Sequence, residues 1–561
     1  MKAILIALCS ASLAIAQTIY DPDITVETAA IGGLNQPIAM EFLRNDSPID
    51  MFIAERTTGK VKFFRNGAYV RDVLDLTVNS TGERGLLGMA RAPDFETTGH
   101  LYVYYCYAIA DGAAWVENRV ERYRYDGTNL VEPTIILAIP SDPLQTITDR
   151  HQSGPILFGP DGKLYGMIGD MHRGRLHNPR LEQNTDASAV AGTGGIYRLN
   201  PDGTTPSDNP FVFHPDPWIK KLIAYGVRNT FGLTFDPRTG QFWMTDNGPD
   251  KYDEVNPVNF GFNSGWLKIM GPDARNATYM ENNNTAFNAS DLVMLPGAYY
   301  SDPEFNWLFP IGVTSILFPD SARYDDIMRN SVLIAGSNGP GRIYRFPLNS
   351  PRTGFELFGA LADKVADNDA ERLVHLYGDF LGTPVDFDLG PDGYWYKTSL
   401  SGGRVWRIRP TVPPTVINGE TNLANFRDNP AGTPLNLTLM AGTTTIANLS
   451  CDVGAFGRFS VRAPHTGSFT VVAKADRWLS VKTAGVTLTT GGFAYLRLDF
   501  PYNGDVNGDN AIDDSDLSAV LTEFGAPPTG TLGLTDLDGN GIVDDADLAI
   551  VLENFGRIGE D

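Results

Sequence analysis

Two stretches near the end of this 561-residue chain place oxygen-bearing side chains at the spacing a calcium ion needs. One reads DVNGDNAIDDSD from Asp505, the other DLDGNGIVDDAD from Asp536. Loop positions 1, 3, 5, 9 and 12 are Asp505, Asn507, Asp509, Asp513 and Asp516 in the first copy. In the second they are Asp536, Asp538, Asn540, Asp544 and Asp547. Calcium takes about six to eight hard oxygens, and position 7 adds a backbone carbonyl, here that of Ala511 and of Ile542. DLSAVLTEFG and DLAIVLENFG follow, with apolar residues at helical spacing, so each loop leads into one helix. Position 12 is Asp, where an EF-hand has Glu. From Pro501 onward there are 14 acidic residues and one basic residue. Bound cations would neutralise that charge; a solvated acidic tail is the plainer alternative.

The elements that position other chemistry lie upstream. Lys2 and an apolar run from Ile4 to Ala16, ending in Ala-Ile-Ala, predict a cleaved secretory signal over residues 1–16 and a mature chain starting at Gln17. That run is too short to cross a bilayer, which takes about twenty apolar residues. Cys9 falls within the signal, and Cys106 and Cys451 sit far apart, so the export implied does not rely on disulfides. The net charge of -23 is concentrated in the acidic tail and points to neither nucleic acid nor an anionic membrane surface as partner. Gly and Pro number 58 and 37, and strand-like runs outnumber helical ones, which predicts a mainly β chain of several domains.

One phrase recurs in the long N-terminal part: FGPDGKLYGMIGD from Phe158, FDPRTGQFWMTDNG from Phe235 and LGPDGYWYKTSL from Leu389. Each joins an apolar residue to an aromatic strand through a Pro- and Gly-containing turn, the pattern of a β-hairpin. Their wide, regular spacing favours radial repetition of small sheets over an ordinary sandwich.

Longer segments resemble the soluble quinoprotein glucose and sorbosone dehydrogenases. They are His151–Asp170, GGIYRLNPDGTTPSDNPF (Gly194–Phe211), YGVRNTFGLTFDPRTGQFWMTDNGPDKYDEVN (Tyr225–Asn256), YSDPEFNW and GRIYRFPLNSPRTG. The resemblance implies a six-bladed β-propeller over residues 20–410, holding pyrroloquinoline quinone (PQQ) beside calcium. It further implies oxidation of an aldose at C1 to a lactone by hydride transfer to the quinone, with electrons passed to an external acceptor. By it, His151 is the general base. Arg228 and Asn229 lie against the quinone, with Glu83 where the family has Gln. Asn247 stands beside the carbonyls of Gly248 and Pro249 that face the calcium. An imidazole suits the role of base because it titrates near neutrality.

The departures from the family are as specific as the matches. Asn338 stands where a cofactor-clamping Lys is expected, and Thr383 and Val385 where an Arg-x-Arg pair is expected. Arg150 replaces the residue before the base, and Arg150, Arg173, Arg175 and Arg342 are the cations available nearby in sequence. Each lost charge-assisted hydrogen bond is worth about 1.5–3 kcal/mol.

Residues 411–500 alternate apolar and polar in short runs and predict a small β-sandwich, similar to carboxypeptidase regulatory-like spacers. His465 is its lone histidine and reads as a loop residue. Residues 501–561 resemble a type I dockerin, which implies a cohesin-like or other surface protein as partner. Two function classes follow: a secreted or cell-surface quinoprotein oxidoreductase acting on sugars, carried by a dockerin into a carbohydrate-degrading assembly, and a non-catalytic propeller that binds a glycan or protein. A glycoside hydrolase, the third class, would need an acid and nucleophile carboxylate pair, and none stands out in the sequence of residues 20–410.

Overall fold

Short apolar-polar runs between tight turns make the chain almost entirely strands. The computed structural model describes residues 17–30, 33–43, 48–141, 149–171, 180–185, 189–278, 287–530 and 533–560. The expected signal segment, residues 1–16, lies outside them, as do Arg173 and Arg175.

Up to Pro410 the strands form six sheets in chain order, each built on four antiparallel strands. The innermost strands are Pro37–Phe42, Leu86–Arg91, Ile156–Phe158, Leu233–Phe235, Val313–Leu317 and Pro384–Leu389. Each touches the next, and the sixth returns to touch the first, so the sheets close a ring. The closure is sealed by the start of the chain: Ile24–Ala30 pairs with Arg404–Pro410 to complete the sixth sheet, Glu27 opposite Arg407. Closing a sheet array on itself leaves only short, protected edges.

The core is divided in the same way. Phe52 and Phe63 of the first sheet pack on Leu86 and Leu101 of the second. Met40 and Phe64 meet Tyr396 and Val405 of the sixth. The recurring phrases are the inner hairpins of the third, fourth and sixth sheets, with Phe158 opposite Leu164, Phe235 opposite Phe242 and Leu389 opposite Trp395. Their aromatic residues bridge sheets, as where the Tyr165 and Phe235 rings lie 5.1 Å apart.

Beyond the ring, Val416–Leu423, Arg458–Arg462 and Phe493–Phe500 form one sheet and Pro434–Ala441, Thr444–Asp452, Gly467–Ala475 and Val481–Leu488 another. Their inner faces share one core that includes Leu437, Val471, Leu496 and Trp478. His465 sits in the turn before Gly467–Ala475. Cys106, in the second ring sheet, and Cys451, in this sandwich, are both free.

The sandwich covers one end of the ring. Arg497 pairs with Glu96 at 2.6 Å, Arg91 with Glu420 at 3.5 Å, and the Ala455 amide donates to Pro237 O at 2.6 Å. The tail folds back on the sandwich as two helices, Asp514–Glu523 and Asp545–Asn554, around Ile512, Val520, Leu537, Val543 and Val551. Among the described residues, no helix is long and apolar enough to cross a membrane.

Candidate functional site

The segments that lead into the innermost strands bring distant residues together. The His151 amide donates to Glu83 Oε2 at 2.6 Å, and Asn229 Nδ2 reaches the same oxygen at 3.4 Å. Asn229 Oδ1 accepts from Ser153 N at 3.3 Å. Three of the inner sheets thus contribute to one network, with His151 only 4 % exposed. His151 and Ser153 both hold positive φ, 57° and 56°. Such conformations persist in non-glycine residues only where surrounding contacts impose them.

The imidazole is oriented by a carboxylate. His151 Nδ1 lies 2.6 Å from Asp170 Oδ1, and Asp170 Oδ2 accepts from Trp266 Nε1 at 2.7 Å. Nδ1 is thereby committed to Asp170, which fixes the orientation of the ring. Arg228 lies over the Trp266 ring, 5.4 Å from its centroid, and donates from Nη1 to Asn247 O at 2.7 Å.

Beneath Asn247, Gly248 and Pro249 lies a set of buried carboxyls. Asp246 accepts from the amides of Arg228 at 2.9 Å and Asn229 at 2.7 Å, which ties both residues to one anchor. Burial pushes its carboxyl up to about 7, against the pull of those two amides. Asp253 accepts from the amides of Gly248 and Gly312, and burial pushes it up to about 6. Burial, helped by the charge of Asp246, pushes Glu254 up to about 8. Desolvated carboxyls favour the neutral form unless a cation is near. Gly248 is needed for a close approach, since a Cβ there would sit 2.0 Å from Lys251 O.

The positions expected to clamp cofactor carboxylates hold no cation. Asn338 is exposed and donates to Pro310 O at 3.0 Å. Thr383 bonds with Ser401, and Val385 faces the ring axis. Of the candidate replacements, Arg342 faces Asp379 at 3.6 Å and Arg150 is exposed. The donor set therefore fits the reacting end of a quinone cofactor, at His151, Arg228 and Asn229. It does not fit the tricarboxylate end in the expected way. A cavity of about 1170 Å³ follows the axis from Glu83 and Ser153 to the sandwich, but neither His151 nor Arg228 lines it. It belongs to the axis and its cap, not to the reacting groups.

The second site is local. In each tail loop the position-12 carboxylate organises the backbone: Asp516 accepts from the amides of Val506, Asn507 and Asp513, and Asp547 from those of Leu537, Asp538 and Asp544. Positions 9 and 12 are also the capping box of the helix that follows. Asp536, Asp538 and Asp547 each bring one oxygen to within 4.8 Å of the others. Asp538 is 1 % exposed and its Oδ2 accepts no hydrogen bond, with Arg427 Nη1 3.4 Å away. A buried carboxylate oxygen without a hydrogen-bond donor fits a hard-cation ligand. The first loop, with Asn507 at position 3, does not gather three carboxylate oxygens so closely among the described residues. There Lys474 of the sandwich lies 3.0 Å from Asp505 Oδ2. The Asp509, Asn540 and Asp544 side chains remain in the loops, accepting from the amides of Ala511, Ile542 and Ala546.

Sequence reading missed Asp170, Trp266 and the anchor Asp246. Asp170 ends one recurring hairpin phrase and Asp246 lies two residues before the end of another, which was the available signal; Trp266 carried none.

The family model described as glucose / sorbosone dehydrogenase matches residues 34–349. Quinoprotein glucose dehydrogenase B of Acinetobacter calcoaceticus is 29% identical over 261 residues, 43% of this chain; the chain spans about half of that relative's length, 52%. An aldose sugar dehydrogenase of Escherichia coli K12 is 26% identical over 332 residues, 59% of this chain and 78% of its own. The crystal structure of an oxidoreductase of the glucose dehydrogenase type from Thermus thermophilus superposes with a TM-score of 0.51 at 26% identity, over 69% of this chain and 99% of that one.

Proposed function

The chain belongs to the glucose/sorbosone dehydrogenase family, and from that premise we propose that it is a sugar dehydrogenase-like oxidoreductase that takes hydride from C1 of an aldose. The observation that carries this is the His151–Asp170 pair at 2.6 Å, set beside Arg228 and Asn229. The six sheets are read as the blades of a propeller spanning 20–410, the next module as a spacer over 411–500, and 501–561 as a dockerin-type module. Secretion through residues 1–16 and attachment to a cohesin-like protein are parts of the same proposal. They are supported by the sequence of the leader and by the paired acidic loops.

PQQ, when bound, would supply the hydride acceptor. His151 would take the sugar hydroxyl proton at Nε2 while Asp170 holds Nδ1–H and stabilises the imidazolium that forms. Arg228 would place positive charge beside the reacting carbonyl, with its backbone fixed by Asp246. Gly248 and Pro249, over buried Asp246, Asp253 and Glu254, are placed to hold a cation. In the tail, calcium would be held by Asp536, Asp538 and Asp547 with Asn540, Asp544 and the Ile542 carbonyl, and equivalently from Asp505 to Asp516.

A second reading rests on Asn338, Thr383 and Val385: a propeller without PQQ that binds a glycan or protein. Titration of the purified protein with PQQ in millimolar calcium, followed by dye reduction across a panel of aldoses, separates the two. Stoichiometric binding with turnover supports the oxidoreductase. No binding at tens of micromolar, a Kd weaker than about -6 kcal/mol, leaves the binding module.

A further inference from the structure

The indole of Trp266 touches both halves of the proposed site. Its Nε1–H donates to Asp170 Oδ2 at 2.7 Å, while the other oxygen of that carboxylate meets His151 Nδ1 at 2.6 Å. Its ring face lies under the Arg228 guanidinium, 5.4 Å away. The residue is itself fixed: it is 3 % exposed, its amide donates to Gly226 O at 2.9 Å, and its carbonyl accepts from Asn184 Nδ2 at 2.8 Å. Tyr252, Met270 and Val365 share its core cluster.

A carboxylate with a separate donor on each oxygen has its plane set, and with it the direction of the imidazole it holds. Donation from Trp266 also lowers the basicity of Asp170, so the carboxylate orients His151 without overstabilising its protonated form. The same ring limits where the Arg228 guanidinium can lie, through a cation–π contact.

We propose that Trp266 is a positioning residue for proton transfer, acting through Asp170 on His151 and through its ring face on Arg228. The proposal rests on the reading of His151 as the base. Trp266→Phe keeps an aromatic face under Arg228 and deletes the donor to Asp170, with a smaller ring left in the core cluster. In the enzyme reconstituted with PQQ and calcium, kcat falls about tenfold while KM for the aldose stays within about twofold. The acid limb of the kcat–pH profile moves to higher pH, because the more basic Asp170 holds the imidazolium more tightly.

A second readout needs no cofactor. The far-downfield proton resonance of the His151–Asp170 hydrogen bond, assigned by its loss in His151→Gln, moves further downfield in Trp266→Phe. If that variant does not fold, the isosteric benzothienyl analogue of tryptophan at position 266 removes the N–H alone and is read by the same resonance. An unmoved resonance overturns the proposal, and so does an unmoved acid limb in an active enzyme. If the wild-type protein shows no turnover with PQQ, the dehydrogenase reading fails and catalytic positioning fails with it. The resonance then decides only whether Trp266 acts on the His151–Asp170 pair.

Discussion

The ring site and the tail loops both gather carboxylates, yet the backbone amides that meet them come from different distances along the chain. Asp246, Asp253 and Glu254 come from two adjacent strands of the fourth sheet, accept amides as distant as those of Arg228, Asn229 and Gly312, and are desolvated, so burial dominates and pushes them up to about 7, 6 and 8. In the tail, Asp505, Asp516, Asp536 and Asp547 are as deeply buried, but each accepts backbone amides of its own loop. Cations from the sandwich also reach these loops: Lys474 at Asp505, Arg427 at Asp538 and Arg477 at the Asp536 carbonyl. The tail thus folds its own backbone around its carboxylates and holds that backbone in place for an ion, although burial also pushes the Asp547 carboxyl up. In the ring site burial favours the neutral carboxyl, a preference that a bound cation would oppose.

The largest expected effect tests whether the ring site is chemical at all. His151→Ala should lower dye reduction by about 10²–10⁴-fold with unchanged circular dichroism; unaltered turnover would reduce the ring to the status of a scaffold. Next, Asp538→Ala should weaken calcium at one of the two tail sites by about two orders of magnitude in calorimetry on the full chain, since it removes the carboxylate oxygen that accepts no hydrogen bond. Equal loss at both sites would contradict the independence of the loops.

The third expectation concerns pH and bears directly on the contrast. Asp246 and Glu254 have folded values above their ordinary ones. Their contribution to stability is therefore present in full below the ordinary carboxylate range and is lost as pH rises through about 7 and 8. In chelator, the unfolding free energy of the ring should fall between pH 5 and 9, by on the order of 1–3 kcal/mol, with the thermal midpoint falling in step, and calcium should flatten the slope. A midpoint that rises with pH would show that these carboxyls are ionised in the ion-free fold. The smallest effect is at the seam between modules: Arg427→Gln should strengthen calcium binding at the second loop by no more than about fivefold, because the arginine is 75% exposed. Weaker binding would make Arg427 a support of the loop instead of a rival for Asp538.

Much of this molecule could be read without coordinates, and the limits follow from distance along the chain. The oxygen-bearing side chains of each tail loop were legible as a group because they lie within twelve residues, although only the second loop gathers three carboxylate oxygens closely among the described residues. The hairpins at Phe158, Phe235 and Leu389 were legible for the same reason: turn chemistry and alternation are local. The family pattern placed His151, Arg228 and Asn229 in one site and marked Asn338, Thr383 and Val385 as departures from it.

Only the tertiary structure decided the rest. It brought Trp266 onto Asp170 and Glu83 onto His151, contacts between residues 96 and 68 positions apart that no periodicity encodes. It closed the ring with Ile24–Ala30, set the sandwich against the ring, and placed Lys474 and Arg427 at the tail loops. It also decided which carboxyls are desolvated, since burial is a property of everything packed around a group and not of its neighbours in sequence. The sequence by itself determined the loop spacings and the strands; the packing of sheet against sheet determined their company, and with it which carboxyls are desolvated.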